Sequence, residues 1–407
     1  MSITKSEFLM LKMSVWSISI LTSITGLAIS PSLPTIQHKF PNVRETEIDM
    51  LISLPNLLLI PFVILAGRLA QSRNNVKMIA AGALFFILSA IAYQFANTFT
   101  LLLIISIALG MGASMVVPLA SQLPSVIFQG KEKQKQLGIC SGISNASQVL
   151  CTLFAGWLAT ISWHAPFWVY SIAIIPLIMS PFLRLRSKLP PLPPPTAEQK
   201  SISSALIPPS GINKPKLIQL MVLYFVVMFF NLQIPLSLPF LLSHHHLDAE
   251  VSGILISIFF SVQAASAFII NQTIHLFRKK TMVVALFIIT VALFLFPFVK
   301  GIEWYYVLVA LAGVTGGTIE PLIWNKTSNI TSPAKSALAF GWIMSACYLS
   351  IWATPYILNL LSLVFRDDLS TFPFYISGGM AVLFTIILLF SENSVIFGMK
   401  EEVKQIG

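Results

Sequence analysis

The chain has 407 residues, of which 56% are hydrophobic and only 10% are charged. Charged residues make up about a quarter of an ordinary soluble domain. This composition therefore excludes a soluble protein and indicates a membrane protein. The formal net charge of +10 comes from lysines and arginines in predicted loops along one membrane face. We interpret it as a signal of membrane orientation, which excludes nucleic acid as a partner.

Twelve apolar stretches, called spans 1 to 12 below, can form helices that cross a bilayer, which takes about 20 residues. They lie at residues 13–33, 48–66, 77–96, 99–120, 138–161, 165–183, 217–241, 250–275, 281–299, 303–325, 336–362 and 371–391. Span 1 follows Lys5 and Lys12 as a signal peptide would, but eleven further spans predict an uncleaved first helix. The predicted fold class is therefore an all-α membrane protein in a lipid bilayer.

Two short patterns in the first six spans recur in the last six. Residues 32–34 at the end of span 1 read Ser-Leu-Pro, as do residues 237–239 near the end of span 7. Gly110 precedes Pro118-Leu119 in span 4, and Gly313 precedes Pro321-Leu322 in span 10 at the same spacing. A duplicated six-helix unit indicates a membrane transporter, because two similar bundles can enclose a site that opens to either side.

The predicted domains are an N-terminal six-helix bundle at 1–187, a linker at 188–216 and a C-terminal six-helix bundle at 217–407. The linker contains the proline-rich run 190–195. Such a run cannot continue a helix and makes a semi-rigid, solvated connector. We predict a monomer in which this linker joins the bundles on the cytoplasmic side.

The basic residues predict the orientation of the chain. With both termini in the cytoplasm, all but four of the 25 lysines and arginines fall on the cytoplasmic side. The exceptions are Lys39, Arg44, Lys300 and Arg366. This distribution follows the positive-inside rule.

Other features carry less information about function. Gly138, Gly142 and Ala146 form a stripe of small residues in span 5 that predicts close packing of another helix. Cys140, Cys151 and Cys347 show no metal or redox spacing and are predicted to be buried. The run 244–246 of three histidines is followed by Asp248 and Glu250, but neighbouring histidines point in different directions. We predict a solvated loop there, with no metal site, no cofactor and no catalytic residues.

The loop between spans 2 and 3 reads Gly-Arg-Leu-Ala-Gln-Ser-Arg at residues 67–73, and span 6 begins with Trp163 and Phe167. With twelve spans and a central linker, the chain resembles the major facilitator superfamily, in particular its bacterial drug and metabolite exporters. The resemblance implies two pseudo-symmetric six-helix bundles, a multi-pass location in the inner or plasma membrane, and a central cavity lined by spans 1, 4, 7 and 10. It also implies a cytoplasmic gate, for which the candidates are Gly67, Arg68, Gln71, Arg73, Arg278 and Lys326.

Three positions depart from the pattern of that family. Gln71 stands where the loop usually carries an acidic residue. Ser106 stands where drug:proton antiporters usually carry an arginine in span 4. Residues 150–156 in span 5 keep Gly156 but lack the glycine-proline pair that usually precedes it. The resemblance therefore implies a transporter without implying proton antiport.

Asp49, Glu250 and Glu303 stand at the ends of their spans and are assigned to the outer loops. Glu320 is then the only acidic residue left inside a predicted span, and Pro321 follows it directly. An ionisable residue within the membrane costs about 2.5–3.5 kcal/mol on insertion scales and usually marks a functional site. One interpretation is that Glu320 binds a proton or a cationic substrate during transport. The other is that it pairs with Lys326 or the basic loop 278–280 and closes an inner gate.

Amide and aromatic side chains within the spans are the predicted substrate contacts, since such walls suit an amphipathic organic molecule. They are Asn56, Asn145, Gln148, Asn231, Gln233, Gln263, Trp324, Trp342 and Tyr348. The alternative for the amides is hydrogen bonding between helices, and for the aromatic residues it is anchoring at the lipid interface.

The favoured interpretation is a secondary active transporter that exports a small amphipathic drug or metabolite by alternating access, linked to protons. One alternative is uptake or facilitated exchange of an organic solute without proton antiport. A second is a membrane receptor or scaffold with the same fold, which would bind a ligand without moving it. A single embedded acid without a catalytic partner argues against an enzyme.

Overall fold

The structure is a computed structural model that describes residues 4–25, 27–64, 75–128, 130–188, 212–277, 280–299, 301–331, 335–365 and 371–390. Within these residues, eleven helices are long and apolar enough to cross a membrane, and the shorter apolar helix Met50–Ile64 occupies span 2. Each predicted span is therefore helical, and the all-α membrane fold is confirmed.

The helices of the N-terminal bundle follow the predicted order. They are Lys5–Ile24, Leu27–Ser32 and Leu33–Lys39 in span 1, the short helix Glu45–Ile48, Met50–Ile64 in span 2, Asn75–Tyr93 in span 3, Phe99–Ile127 in span 4, Gly130–Ile161 in span 5, and Ala165–Ala173, Ile174–Met179 and Ser180–Lys188 in span 6.

The helices of the C-terminal bundle do the same. They are Lys214–Asn231 and Gln233–His244 in span 7, Ala249–Phe268 and Ile270–Phe277 in span 8, Thr281–Leu295 and Phe296–Phe298 in span 9, Ile302–Asn329 in span 10, Ser336–Phe365 in span 11, and Phe372–Phe390 in span 12.

Local sequence explains where the first helix of each bundle begins. Thr4 caps span 1 by accepting from the Glu7 N–H, while the Glu7 carboxylate accepts from the Thr4 N–H. Asn213 caps span 7 by accepting from the Lys216 N–H. These contacts satisfy N–H groups that would otherwise lack a partner at a helix start.

Spans 1 and 7 are interrupted at related places. Span 1 changes to a 3-10 segment at Leu27–Ser32, which contains Pro31, and span 7 breaks at Leu232 before Gln233–His244, which contains Pro239. Proline lacks the N–H that an unbroken α-helix needs. Interrupted helices in corresponding positions of two halves are the best sequence pointer to a central site.

The ends of the molecule differ in charge. We call the end with Lys5, Lys12 and Lys135 the basic end, and the end with His38, Glu45 and His244 the histidine end. Apolar side chains cover much of the surface between them; Phe95, Phe268 and Leu276 are 74–77% exposed. An exposed apolar surface of this kind suits contact with lipid rather than water.

Spans 5 and 8 form one seam between the bundles, and the seam is tight at the histidine end. A Cβ on Gly156 would lie 2.7 Å from the Ala249 carbonyl oxygen and 2.8 Å from the Gly253 Cα. The two backbones can approach this closely only because neither glycine carries a side chain.

The same seam separates toward the basic end. Gly142 and Gly138 lie on the Gly156 face of span 5, about four and five helical turns away. A Cβ on either would meet nothing within 4 Å. The close packing predicted for this stripe is therefore wrong at these two positions, because spans 5 and 8 diverge before reaching them.

Spans 2 and 11 form a second seam. A Cβ on Gly341 would lie 2.7 Å from the Val63 carbonyl oxygen. The Ser345 hydroxyl lies one turn further along span 11 and is 3.5 Å from the Ile60 carbonyl oxygen. The central cavity lies between these two seams.

Candidate functional site

A cavity of about 430 Å³ lies between the bundles and has two chemically different walls. The N-terminal bundle contributes hydroxyl and amide groups from spans 1 and 5, namely Ser19, Thr22, Ser23, Ser141, Ser144 and Asn145. The C-terminal bundle contributes Glu320, Trp324, Met344 and Tyr348 from spans 10 and 11. The carboxylate and the aromatic rings thus face a hydroxyl-rich surface across the cavity.

Glu320 is held by three neutral donors of its own bundle. Its Oε1 accepts from the Tyr224 hydroxyl and from Trp324 Nε1, both at 3.3 Å. Its Oε2 accepts from Gln263 Nε2 at 3.4 Å. These distances are long for hydrogen bonds, which weaken as the atoms separate. The carboxylate is therefore oriented by spans 7, 8 and 10 while it faces the cavity.

Glycines in span 10 allow Gln263 to reach the carboxylate. A Cβ on Gly316 would lie 2.9 Å from the Gln263 side-chain Cδ, and one on Gly317 would lie 2.1 Å from the Gln263 carbonyl oxygen. Any larger residue would push spans 8 and 10 apart. Span 10 continues as a helix through Pro321 to Asn329, so the carboxylate stays in a regular turn.

The hydroxyl-rich wall is internally bonded. The Ser144 hydroxyl contacts both the Thr22 and Ser23 hydroxyls, and it joins spans 1 and 5. Nearer the basic end, Trp16 Nε1 donates to Gln136 Oε1 at 2.6 Å, and Lys12 pairs with Glu132 at 2.5 Å. These contacts fix span 1 against span 5, so this wall has a defined shape.

Of the predicted cavity residues, Asn145, Trp324 and Tyr348 line the cavity, and Gln263 bonds to Glu320. Gln148 lies about one turn from Asn145 on span 5 and is 3% exposed. Neither polar atom of its amide has a hydrogen-bond partner among the described residues. An unsatisfied buried amide is costly, but Gln148 is not among the residues that line the cavity.

The other predicted cavity residues are placed differently. Asn56, Asn231 and Gln233 each donate to a carbonyl four residues earlier in the chain, so these bonds are local rather than between helices. The Asn231 Oδ1 has no partner within the described part of the chain. Trp342 is 40% exposed and is not among the residues that line the cavity.

Most of the predicted cytoplasmic gate cannot be placed. Gly67, Arg68, Gln71, Arg73 and Arg278 lie outside the described residues. Lys326 is 7% exposed and lies about 9 Å along span 10 from Glu320. The proline-rich run 190–195 also falls outside the described residues.

Sequence reasoning missed Tyr224 and the serine and threonine residues of the cavity. Hydroxyl residues are frequent in membrane helices, where many bond to their own backbone, as Thr354 and Thr385 do here. Only the folded arrangement separates these from Ser144, whose hydroxyl contacts span 1. Tyr224 carried a weak signal as a phenol inside an apolar helix.

The cysteines are buried and free, as predicted, and Cys140 lines the cavity. The histidine loop, which was predicted to be solvated, is only partly exposed. The His244 side chain is 58% exposed, but its Nε2 lies 3.1 Å from Glu45 Oε1 of the other bundle. Across the described residues, no three histidine, cysteine, aspartate or glutamate side chains have a metal-binding arrangement.

Comparison with known protein families gives a match over nearly the whole chain. The model of the Major Facilitator Superfamily matches residues 15–237 and 220–396. An uncharacterised MFS-type transporter, YceJ of Bacillus subtilis, is 29% identical over 151 residues, 37% of this chain and 38% of that protein. The quinolone resistance protein NorA of Staphylococcus aureus is 28% identical over 159 residues, 38% of this chain and 40% of that protein. The chain therefore aligns with about two fifths of the length of each of these relatives.

Solved transporter structures have the same fold across almost their whole length. A D-xylose-proton symporter superposes with a TM-score of 0.67 at 16% identity, covering 94% of this chain and 97% of that one. A POT family transporter in complex with a thioalcohol-conjugated peptide superposes with a TM-score of 0.72 at 12% identity, covering 95% of each chain. At these identities the similarity concerns the fold alone.

Proposed function

Because the chain belongs to the major facilitator superfamily, we propose that it is a secondary active transporter that exports a small amphipathic organic compound in exchange for protons. Membership of this family indicates a transport protein rather than an enzyme. Two bundles around one central cavity suit alternating access, in which the cavity opens to one side and then to the other.

The observation that carries the proposal is the position of Glu320. Its carboxylate faces the cavity, and its hydrogen-bond donors Tyr224, Gln263 and Trp324 are all neutral. A carboxylate in this setting can bind a proton or the positive end of a substrate. Trp324 and Tyr348 would contact the apolar part of the same molecule.

The cavity also limits the size and character of the compound. A volume of about 430 Å³ is within the range of small-molecule sites. The hydroxyls of the opposite wall and the amide of Asn145 would bond to polar groups of the substrate. A compound with one apolar face and a few polar groups satisfies both walls.

Export is supported by one of the sequence relatives, whereas proton linkage rests on the position of Glu320. NorA is named a quinolone resistance protein, and removal of a compound from the cell is one route to resistance. We carry proton linkage and efflux to this chain as proposals.

The second candidate function is facilitated exchange or uptake without proton antiport, and one observation favours it. Ser106 stands where the resembled antiporters carry an arginine, and here its hydroxyl bonds to the Tyr93 hydroxyl at 2.7 Å in a buried site. Tyr93 also stacks on Phe167 with ring centroids 3.9 Å apart. This position is filled by an aromatic cluster rather than by a cation.

The remaining assignments follow from the same proposal. The basic end faces the cytoplasm with both termini, and residues 188–216 link the bundles there. The proposed gate at that end consists of Gly67, Arg68, Gln71, Arg73, Arg278 and Lys326. If Glu320 serves this gate instead of proton binding, its substitution will alter gating and leave proton coupling in place.

The test is solute flux in proteoliposomes under an imposed pH gradient, with amphipathic cations, anions and neutral compounds. We expect flux to follow the gradient in the unmodified protein and to lose that dependence in Glu320→Gln. Glu303→Gln is the matched control, because Glu303 is exposed at the start of the same helix. It should transport like the unmodified protein.

Other outcomes select the alternatives. Flux that does not depend on the pH gradient and is unchanged in the Glu320→Gln variant would support facilitated exchange. If the Glu320→Gln protein still shows flux that is driven by the gradient and coupled to protons, Glu320 would be assigned to the gate. Saturable binding of a compound without any flux would favour a receptor.

A further inference from the structure

The histidine end contains a second cavity, of about 690 Å³, between the bundles. Two side-chain contacts cross this boundary. Glu45 Oε1 is 3.1 Å from His244 Nε2, and His38 Nε2 is 3.3 Å from the Ser243 hydroxyl. Glu45 and His38 belong to the N-terminal bundle, whereas Ser243 and His244 end span 7 in the C-terminal bundle. Any opening at this end must break both contacts.

We propose that Glu45 and His244 form a pH-dependent latch that holds the two bundles together at the histidine end. The latch lies apart from the central cavity, and it does not depend on proton coupling through Glu320. It would set how often the protein opens at the histidine end rather than which compound it carries.

The surroundings of Glu45 make the pair sensitive to protons. Burial raises the pKa of the Glu45 carboxyl, and a hydrogen bond and the charge of His244 offset part of that rise. The Glu45 side chain is 30% exposed and that of His244 is 58% exposed, so water screens the pair in part. Asp49, one turn along the chain, is buried, and its Oδ1 has no hydrogen-bond partner among the described residues.

The pair is surrounded by other charged and titratable groups, which the test must separate from it. In the described residues they are His38 and Lys39 from the end of span 1, Arg44, Glu47 and Asp49 around the short helix Glu45–Ile48, and His246 and Asp248 from the loop after span 7.

Acid strengthens a contact between an imidazole and a carboxylate. Imidazole gains its charge between about pH 8 and pH 5, and a protonated imidazole binds a carboxylate more strongly than a neutral one. Acidification therefore favours the closed latch, and a rise in pH favours opening at the histidine end.

The latch can be tested by distance measurements between spin labels at Asn97→Cys and Glu303→Cys, with the three native cysteines replaced by alanine. Both positions are exposed at the histidine end, one on each bundle. Partly exposed ion pairs contribute modestly. We therefore expect the long-distance population to rise about two- to five-fold from pH 6 to pH 8.

Two variants and one control assign the effect. His244→Gln and Glu45→Gln should each remove the pH response. His245→Gln should keep it, because His245 packs against the Tyr305 ring rather than against Glu45. A distance distribution that does not change with pH in the parent, or a full response in His244→Gln, would overturn the proposal. So would equal losses in His244→Gln and His245→Gln.

Discussion

At the scale of single residues, Glu320 depends on donors that it shares with other groups. The Tyr224 hydroxyl donates to Glu320 and also contacts the Cys347 thiol, so it joins span 10 to span 11 across span 7. Gln263 joins span 8 to the same carboxylate. A change in the charge of the carboxylate therefore affects contacts with spans 7, 8, 10 and 11 of one bundle. This is one way to couple proton binding to a conformational change.

Tyr224→Phe should alter the pH dependence of transport. The variant removes one donor from the charged form of Glu320 and keeps the aromatic ring. If Glu320 carries the proton, we expect the pH at which flux is half-maximal to rise by about 0.5–1 unit, a typical value for one hydrogen bond. The measurement is initial flux from pH 5.5 to 8.5 in proteoliposomes.

Tyr356→Phe is the control for this variant, because Tyr356 packs on Trp352 in span 11 away from the carboxylate. It should leave the pH profile unchanged. A profile that moves equally in both variants would show that Tyr224 has no specific effect on the carboxylate.

Ser106 is a position where the sequence departs from the resembled family and the structure gives a physical reason. Ser106→Arg would bury a charge beside Tyr93 and Phe167, in a site that is now filled by packed rings. We expect a large fall in melting temperature, since an unpaired buried charge costs several kcal/mol. Ser106→Ala loses one hydrogen bond and should cost about 1 kcal/mol. Equal melting temperatures for the two variants would contradict this account.

At the scale of helices, the seam between spans 5 and 8 has a closed part and an open part. Gly156→Ala would place a Cβ 2.7 Å from the Ala249 carbonyl oxygen, whereas Gly142→Ala would meet no atom within 4 Å. We expect Gly156→Ala to destabilise this conformation by about 1–3 kcal/mol, as overpacking does elsewhere. The change in melting temperature caused by Gly142→Ala should be less than a third of the change caused by Gly156→Ala.

The same pair of variants reports on the transport cycle. If spans 5 and 8 close at the basic end during transport, Gly142→Ala will reduce flux without reducing stability. A Gly142→Ala protein with normal stability and normal flux would show that this stretch of span 5 never packs closely on another helix.

Most of the helices could be predicted from sequence because hydrophobic length sets them. Spans 3 and 4 were predicted to begin at residues 77 and 99, and their helices begin at Asn75 and Phe99. The interruptions within spans 1, 6, 7, 8 and 9 were not predicted, because a local backbone break leaves the apolar run intact. The small-residue stripe was misread for a related reason: glycine permits close packing in every state, but only the arrangement of the helices shows where it occurs.

The candidate site was predictable in part. Glu320 stood out because an acid inside an apolar helix is rare. Its donors Gln263 and Trp324 were among the predicted cavity residues, but their contact with Glu320 depends on the approach of spans 8 and 10. Asn56 and Gln233 looked equivalent to them in sequence, and they bond to their own helices instead. The Glu45–His244 contact joins distant parts of the chain and left no local pattern.

At the scale of the whole molecule, the orientation in the membrane decides what each end does. The tight contact of spans 5 and 8 and the latch both lie at the histidine end, while spans 5 and 8 part toward the basic end. If the basic end faces the cytoplasm, this conformation is closed to the outside and separates toward the inside. A compound to be exported would then enter the central cavity, and reach Glu320, from the cytoplasm.

Labelling in intact cells tests this orientation. We expect a membrane-impermeant maleimide to react with Asn97→Cys and Glu303→Cys, which are exposed at the histidine end, and to spare Lys135→Cys, which is exposed at the basic end. The native cysteines are 4–7% exposed and provide a low background. Opening the cells should expose Lys135→Cys to the reagent. The reverse pattern would place the histidine end in the cytoplasm. The latch would then respond to cytoplasmic pH, and the direction of transport inferred from the basic end would have to be reversed.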